Sequence, residues 1–304
     1  MTLGKFITEA KDLLRGIYPV EEVRSILQRL LQDLFSIPWY KTVIEPEMEF
    51  TIEQESQLSL ALQRLSKGEP LQYVIGWTEF CGRSFKVAPG VLIPRPETES
   101  LCLLVQTASQ GRDSSPVPNP KILDLCTGSG CIAWTLALDI PGAHVTAVDI
   151  SSEALAIASS QNPDEFALKQ QMFVSAKMLR RPAFIKADVL DRDSLEDFDE
   201  NFDFVVSNPP YVMDKEKSCM RANVLDYEPH LALFVPDDDP LIFYKAIAFW
   251  AINCLKPGGQ VMVEINEALG AQTAQVFVSA GLEKVRIAAD IFDKERFVCA
   301  YKPL

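Results

Sequence analysis

The chain has 304 residues, of which 48% are hydrophobic and 23% are charged, a composition typical of a globular protein with a sizeable core. Its net charge of −13 argues against the proteins that hold nucleic acid along a basic surface, so we expect no direct nucleic-acid partner. The seven cysteines are scattered and form no CxxC pair, so neither a disulfide framework nor a metal site is expected.

The first part of the chain has the apolar spacing of helices. Apolar residues recur at intervals of three and four in three stretches, Leu3 to Ile17, Val23 to Leu34 and Leu58 to Leu65. Residues 1–74 are therefore predicted to form a small helical domain. The amphipathic start carries acids, unlike a secretory signal, and no apolar run is long enough to span a membrane. We expect a cytoplasmic protein with no membrane association.

Residues 75–96 are predicted to form a β-hairpin and a linker. Two short runs, Trp77–Phe80 and Ser84–Val87, flank a glycine-containing turn, as in a hairpin. Downstream, the prolines of Pro94-Arg95-Pro96 hold an extended backbone, and a helix is predicted to begin near Glu97.

Residues 97–304 alternate strand and helix. The β-rich runs are KILDL, HVTAVDI, AFIKADV, DFVVS and QVMVEI. This alternation predicts an α/β fold with a Rossmann-like parallel sheet and helices on both faces. The last runs, Glu283–Ala288 and Arg296–Tyr301, predict a closing hairpin, and the long stretch from Asn162 to Pro182 is interpreted as an inserted helix.

A glycine-rich loop follows the first strand of this sheet. It reads Cys126-Thr127-Gly128-Ser129-Gly130, and Asp149 closes the second strand, where an acid can accept both hydroxyls of a ribose. A nicotinamide cofactor and S-adenosylmethionine both carry an adenosine ribose, so the loop leaves both open. Asp124, two residues before the loop, could lie near the ammonium group of S-adenosylmethionine, whereas its charge would repel the pyrophosphate of NAD, so Asp124 favours S-adenosylmethionine.

The segment Asn208-Pro209-Pro210-Tyr211 follows the fourth strand and lies where parallel sheets bind ligands. An amide or exocyclic amine nitrogen is a poor nucleophile, because its lone pair is delocalised. The Asn208 side-chain carbonyl and the Pro209 backbone carbonyl can accept both of its N–H hydrogens and fix its plane. The two prolines stiffen the backbone, and Tyr211 offers an aromatic face for stacking. This combination predicts methyl transfer to a planar nitrogen, with these four residues as the catalytic and substrate-binding set.

Five segments together resemble one known family. DLCTGSG, AVDIS, SNPPY, the upstream GVLIPRPETE and the helical amino-terminal region are similar to the PrmC/HemK protein-glutamine methyltransferases, over almost the whole chain. SNPPY alone is shared with nucleic-acid amino-methyltransferases, whereas PRPETE after the EFCGRSFKV hairpin is far more specific. The family relation is therefore carried by the combination of segments.

The resemblance implies a methyl donor, a substrate and further site residues. The donor is S-adenosylmethionine, and the substrate is the glutamine in the Gly-Gly-Gln loop of peptide chain release factors, held by Asn208 and Pro209. Residues 126–130, Asp149, Asp188, Val189 and Asn208 would contact the cofactor, and Arg95 and Glu97 would shape the pocket. The helical domain and the hairpin would recognise the release factor.

Two features depart from the family pattern. Cys126 stands where the family usually has glycine, and the insertion between Asn162 and Pro182 makes the alignment of Asp188 and Val189 less direct. Three alternative functions remain: a DNA or RNA amino-methyltransferase using the same loop, an NAD-dependent oxidoreductase, and a binding module without catalytic activity. The acidic charge argues against the first, and the second leaves Asn-Pro-Pro-Tyr unexplained.

Overall fold

A computed structural model describes residues 1–111, 116–162, 180–198, 201–290 and 293–304. The described chain divides into two compact units, residues 1–77 with 221–227 and residues 78–220 with 228–304. The inserted helix predicted between Asn162 and Pro182 lies outside the described residues, apart from the few positions at its two ends. Among the helices that are described, none has the length and apolarity needed to cross a membrane.

The first unit is helical, as the apolar spacing predicts. Its helices are α1 (Leu3–Leu14), α2 (Val20–Phe35), α3 (Lys41–Ile44), α4 (Ile52–Leu65) and α5 (Leu71–Ile75), and Ala222–Tyr227 adds a further short helix, α9 in chain order. Helix α4 begins with a capping box, in which the Thr51 hydroxyl accepts from the Gln54 backbone and the Gln54 side chain accepts from Thr51. Leu3, Phe6, Leu27, Leu30 and Leu58 are completely buried and form the centre of this unit's core.

The hairpin consists of β1 (Trp77–Phe80) and β2 (Arg83–Lys86), so its second strand begins one residue earlier than predicted. The reason is a two-residue turn at Cys81-Gly82, where φ is +48° and +68°. Positive φ at both central residues is the type I′ geometry that matches the twist of paired strands.

The second unit is built on a sheet of seven strands in the described part of the chain. These are β3 (Lys121–Leu125), β4 (His144–Asp149), β5 (Ala183–Lys186), β6 (Phe202–Ser207), β9 (Leu255–Glu264), β10 (Glu283–Ala289) and β11 (Glu295–Tyr301). Their order is β10-β11-β9-β6-β3-β4-β5, with β10 and β11 as the predicted closing hairpin. Two short strands outside this sheet, β7 (Val212–Met213) and β8 (Phe234–Val235), pair with each other.

The strand order creates a switch point between β3 and β6. The chain runs outward from β3 through β4 to β5 and then returns to β6 on the other side of β3. Strands β3 and β6 are parallel, and Leu125 pairs with Ser207 at their carboxyl ends. Open parallel sheets bind ligands at such a position, so the topology places the glycine loop and Asn208 side by side.

Helices cover both faces of the sheet, which confirms the predicted α/β class. On one face, α6 (Glu99–Ser109) and α7 (Cys131–Asp139) bury Leu101, Val105 and Trp134. On the other face, α10 (Ile242–Cys254) and α11 (Gly270–Ser279) bury Trp250 and Phe277. Helix α8 (Ser152–Ser159) links β4 toward β5. The buried indoles are satisfied, since Trp134 donates to the Ala158 carbonyl and Trp250 to the Val189 carbonyl.

A buried ion pair holds the hairpin to the sheet unit. The Arg83 side chain, 6% exposed, bonds in bidentate fashion to the Asp139 carboxylate at the end of α7, and Gln106 donates to the same carboxylate at 2.9 Å. A guanidinium buried to this extent depends on its partner, because an unpaired charge in the interior has lost its hydration without compensation.

Asp139→Ala is therefore expected to reduce the free energy of unfolding by about 3 kcal/mol, measured by urea denaturation. The double variant Arg83→Met with Asp139→Leu removes both charges and should lose less stability than Asp139→Ala alone. An unchanged urea midpoint for Asp139→Ala would contradict a structural role for the pair.

Candidate active site

The glycine loop connects β3 to α7 through an unusual backbone. Cys126, Gly128 and Gly130 all have positive φ, at +61°, +54° and +78°. Glycine adopts this region without strain, whereas a cysteine does so at a cost of the order of 1 kcal/mol. The Thr127 amide donates to the Val148 carbonyl at 2.9 Å, which ties the loop to the neighbouring strand.

Asp149 supports the same loop from the end of β4. Its Oδ2 accepts from the Gly128 amide at 2.8 Å, and its Oδ1 accepts from the Ser151 amide at 2.9 Å. Burial raises the pKa of this carboxyl, and the backbone donors oppose that shift. The carboxylate lines a cavity, where it can accept hydrogen bonds from hydroxyl groups of a ligand.

The cavity at the switch point has a volume of about 330 Å³ and lies within the roughly 300–1,000 Å³ range of small-molecule sites. The predicted site residues that line it are Arg95, Cys126, Thr127, Gly128, Ser129, Asp149, Asp188, Val189, Asn208 and Pro210. The structure thus brings together residues that lie more than a hundred positions apart in the sequence.

The other predicted residues lie elsewhere. Pro209 and Tyr211 line a smaller cavity of about 50 Å³, which shares Arg95 and Asn208 with the main one. Glu97 is half-buried and lines neither cavity. Gly130 also lines neither, because it caps α7 and an added Cβ there would lie 2.9 Å from the Ala158 Cβ. Its role in the structure is close packing beneath the loop.

The charge of the lining is strongly acidic. Asp149, Glu153 and Asp188 line the cavity, and Arg95 is the sole base among its described residues. The Arg95 guanidinium is itself paired with Glu228, at 2.6 Å, and Glu228 also accepts from the Ile93 amide at 3.1 Å. Such a site suits a cationic ligand such as a sulfonium with an ammonium group, and it is ill suited to a pyrophosphate.

Asp124 takes a different place from the one suggested by the sequence. It lies fully buried beneath the loop and is absent from the residues that line the cavity. Its Oδ2 accepts from the Thr127 hydroxyl at 2.6 Å, while its Oδ1 has no partner among the described residues. Burial raises the pKa of Asp124 to about 7, partly offset by the bond from Thr127.

A chain of hydrogen bonds lies behind Asn208. Its Nδ2 group donates to the Thr98 hydroxyl at 3.1 Å, and that hydroxyl donates to Glu264 Oε2 at 2.7 Å. The Tyr211 hydroxyl donates to the other oxygen of Glu264 at 3.0 Å. Thr98 and Glu264 are each 2% exposed. The bond through Nδ2 leaves the Asn208 Oδ1 oxygen available as an acceptor.

Several residues of this site were not predicted from the sequence. They are Thr98, Glu153, Glu228, Phe243 and Glu264. Thr98 lies inside the PRPETE segment, and Glu264 is the next-to-last residue of the QVMVEI run, where an acid near the carboxyl end of a predicted strand was an available signal. Glu228 lies in the segment after Asn-Pro-Pro-Tyr and had no comparable signal.

The chain is similar in sequence to known methyltransferases along almost its whole length. Residues 5–76 match the PrmC N-terminal domain, and residues 102–226 match the Methyltransferase small domain. A release factor glutamine methyltransferase of Bacteroides thetaiotaomicron is 41% identical over 98% of this chain and 99% of its own length. A protein of the same description from Flavobacterium psychrophilum is 35% identical over 98% of each chain.

A solved structure described as a release factor-specific protein-(glutamine-N5) methyltransferase from Alicyclobacillus acidocaldarius is also similar. It is 24% identical, aligns with 72% of this chain and all of its own, and has a TM-score of 0.41. This likeness is too weak to add to the sequence relationship.

The Rossmann-like sheet, the matched methyltransferase domain and the acidic cavity beside Asn-Pro-Pro-Tyr define an S-adenosylmethionine-dependent methyltransferase. The relatives that match this chain over almost its whole length identify the family within this class of enzymes. The chain belongs to the release factor glutamine methyltransferase family.

The two glycines of the loop should respond differently to alanine. Gly130→Ala is expected to cost about 3 kcal/mol of stability, because left-handed strain adds to the clash with Ala158. At Gly128 the space around an added Cβ is open, so Gly128→Ala should cost about 1 kcal/mol but weaken cofactor binding at the cavity wall. Urea denaturation and calorimetric titration with S-adenosylmethionine measure the two effects, and equal stability losses would contradict the packing role of Gly130.

Asp124 should make the stability of the protein pH-dependent. Its pKa is raised in the folded state from 3.8 to about 7, so its stabilising contribution is complete below about pH 4 and is lost as the pH rises toward 7. Asp124→Asn does not titrate, so its free energy of unfolding relative to the wild type should rise by about 3 kcal/mol between pH 5 and pH 8 in urea denaturation. The exposed Asp238→Asn is the control, and parallel pH curves for the wild type and Asp124→Asn would refute the expectation.

Proposed function

We propose that this enzyme transfers a methyl group from S-adenosylmethionine to the side-chain amide nitrogen of the glutamine in the Gly-Gly-Gln loop of peptide chain release factors. The observation that carries the proposal is the Asn208 side chain, which is held by its Nδ2 group at the cavity wall with its Oδ1 oxygen available. The relatives that match the chain over almost its whole length bear the corresponding description, release factor glutamine methyltransferase.

The cofactor would occupy the acidic cavity. Asp149 would accept hydrogen bonds from the ribose hydroxyls of the cofactor, and residues 126–129 would line one side of it. Asp188 and Val189 would border its adenine ring. Val189 is held in place there, because its carbonyl accepts from the buried Trp250 indole at 3.1 Å. Bound S-adenosylmethionine supplies a methyl group on a positively charged sulfur, which is the electrophile of the reaction.

The residues of the catalytic loop hold the acceptor nitrogen. The Asn208 Oδ1 and the Pro209 carbonyl oxygen would accept the two N–H hydrogens of the glutamine amide, and Tyr211 would stack on its plane. The nitrogen lone pair would form the new N–C bond as the methyl group leaves the sulfur, which would keep the S–C electrons, and one N–H proton would then pass to water. The proposed step assigns no role to a metal ion, because the two carbonyl oxygens orient the amide nitrogen and the sulfonium activates the methyl group.

Arg95 and Glu97 are proposed to act at the substrate side in different ways. Arg95 borders both cavities and is fixed by the buried Glu228, so it can shape the entrance for the glutamine side chain. Glu97 lines neither cavity, and its proposed place at the substrate side follows from the resemblance of the PRPETE segment to the family.

The helical domain, residues 1–74, and the linker with its hairpin, residues 75–96, are proposed to recognise the release factor. The helical unit exposes large apolar side chains, among them Val20, Val43 and Ile52, each more than 75% exposed. Exposed apolar side chains of this kind are available for contact with a protein substrate. We also propose a cytoplasmic location, as expected for an enzyme that acts on release factors, and no direct nucleic-acid partner, since the net charge of −13 disfavours one.

The proposal is tested by incubating purified release factor with enzyme and S-adenosylmethionine and locating the added methyl group by peptide mass spectrometry. We expect one methyl group on the loop glutamine and none on DNA or RNA in parallel reactions. Methylation of nucleic acid alone would refute the substrate assignment and favour an amino-methyltransferase of nucleic acid.

Asn208→Ala should lower kcat by roughly 10²–10³-fold, because one of the two acceptors for the amide is lost. Its affinity for S-adenosylmethionine, measured by calorimetry, should change little. Asn253→Ala is the matched control, since Asn253 lies on α10, outside both cavities, and its side chain donates to the Phe249 carbonyl of the same helix. Full activity of Asn208→Ala would refute the proposed clamp.

A further inference from the structure

The catalytic asparagine must present the correct end of its amide. The two ends have nearly the same shape, but Oδ1 accepts hydrogen bonds whereas Nδ2 donates them. An Asn208 turned by 180° about its last bond would direct N–H groups at the N–H groups of the substrate amide. The proposed clamp therefore requires that something in the protein fixes this orientation.

The residues behind Asn208 form a line with a single direction. An ionised carboxylate accepts hydrogen bonds and has none to donate, so the Thr98 hydroxyl must donate to Glu264. That hydroxyl has only one proton, and its remaining lone pairs face Asn208. The Asn208 group opposite them must then be the donor, Nδ2, as the 3.1 Å bond shows.

The same carboxylate also fixes the aromatic ring of the loop. Its second oxygen accepts from the Tyr211 hydroxyl at 3.0 Å. The backbone of Glu264 is held as well, because the Tyr244 hydroxyl donates to its carbonyl at 3.2 Å. Parallel pairing brings these groups together, since Ser207 of β6 pairs with Val263 of β9, and Asn208 and Glu264 are the next residues on the two strands.

We infer that Glu264, acting through Thr98, is the positioning residue that selects the acceptor end of the Asn208 amide and, through its second oxygen, holds the Tyr211 ring. This inference rests on the proposed function, because it explains how the clamp for the glutamine amide is oriented. Neither Thr98 nor Glu264 needs to touch the substrate in this role.

The two hydroxyl donors favour the ionised, acceptor-only form of Glu264 and oppose the effect of its burial, which raises the pKa overall. Burial raises its pKa, the hydroxyls of Thr98 and Tyr211 lower it, and the positive charge of Arg296 lowers it further, while Glu97 raises it. A buried carboxyl with two hydroxyl donors aimed at it has both oxygens satisfied in the ionised form.

The first test exchanges the Thr98 hydroxyl for a methyl group of the same shape. Thr98→Val should lower kcat about 10- to 100-fold and weaken binding of a Gly-Gly-Gln peptide measured with S-adenosylhomocysteine present, while cofactor affinity stays within about twofold. Thr98→Ser keeps the hydroxyl and should recover most of the activity. Thr273→Val is the control, because Thr273 is fully buried and its hydroxyl has no partner in the described chain.

The second test asks whether Glu264 and Thr98 act along one line. Glu264→Gln should lower kcat, because an amide can accept from only one of the two hydroxyls and must donate to the other. The double variant Thr98→Val with Glu264→Gln should lose less than the product of the two single losses. A double loss equal to that product would overturn the inference.

The outcomes separate the inference from the proposed function. Wild-type activity on the release factor with unchanged kcat in Thr98→Val overturns the inference and leaves the proposed function standing. Equal losses in Thr98→Val and Thr98→Ser, or a loss of cofactor affinity in both, indicate a purely structural role and also overturn it. Absence of wild-type methylation overturns the proposed function and the inference together.

Discussion

The parallel pairing of three strands is the constraint on which the site depends. Leu125 of β3 pairs with Ser207 of β6, and Ser207 pairs with Val263 of β9, so the three carboxyl ends finish at one level. The residue that follows each of these positions belongs to the site: Cys126, the first residue of the glycine loop, Asn208 and Glu264. A shift of one residue in either register would turn the side chains of a whole strand to the opposite face and separate the groups.

The sequence was sufficient for the parts of the fold that follow from periodicity. The helices of the first unit, the alternating sheet and its closing hairpin agree with the predictions, because each depends on residues close together in the chain. The hairpin differed by one residue, since periodicity alone does not show that Cys81 and Gly82 both take positive φ. The predicted domain boundaries at 74 and 96 stay predictions, as do the site roles proposed above.

The site was predictable where a motif carries its own chemistry and not where distant residues meet. The glycine loop, Asp149 and Asn208 were recognised from local sequence, and all of them except Gly130 of the loop line the cavity. The bond from Asn208 to Thr98 joins residues 110 positions apart, and the bond from Thr98 to Glu264 joins residues 166 apart. No local pattern encodes such a meeting. Asp124 was misplaced for a similar reason, because strand alternation does not distinguish a carboxylate beneath a loop from one beside a ligand.

The acidic lining described for the main cavity also bears on how the enzyme completes a cycle. Methyl transfer converts a sulfonium into a neutral thioether, so a donor bound in this cavity, as proposed above, would lose one positive charge while the carboxylates of Asp149, Glu153 and Asp188 stay in place. The electrostatic attraction between these carboxylates and the bound ligand would therefore decrease when the methyl group is transferred. The acidic lining that would favour the charged methyl donor would therefore bind the neutral product less tightly. Electrostatics would in this way assist the release of product and the binding of a new donor in each turnover.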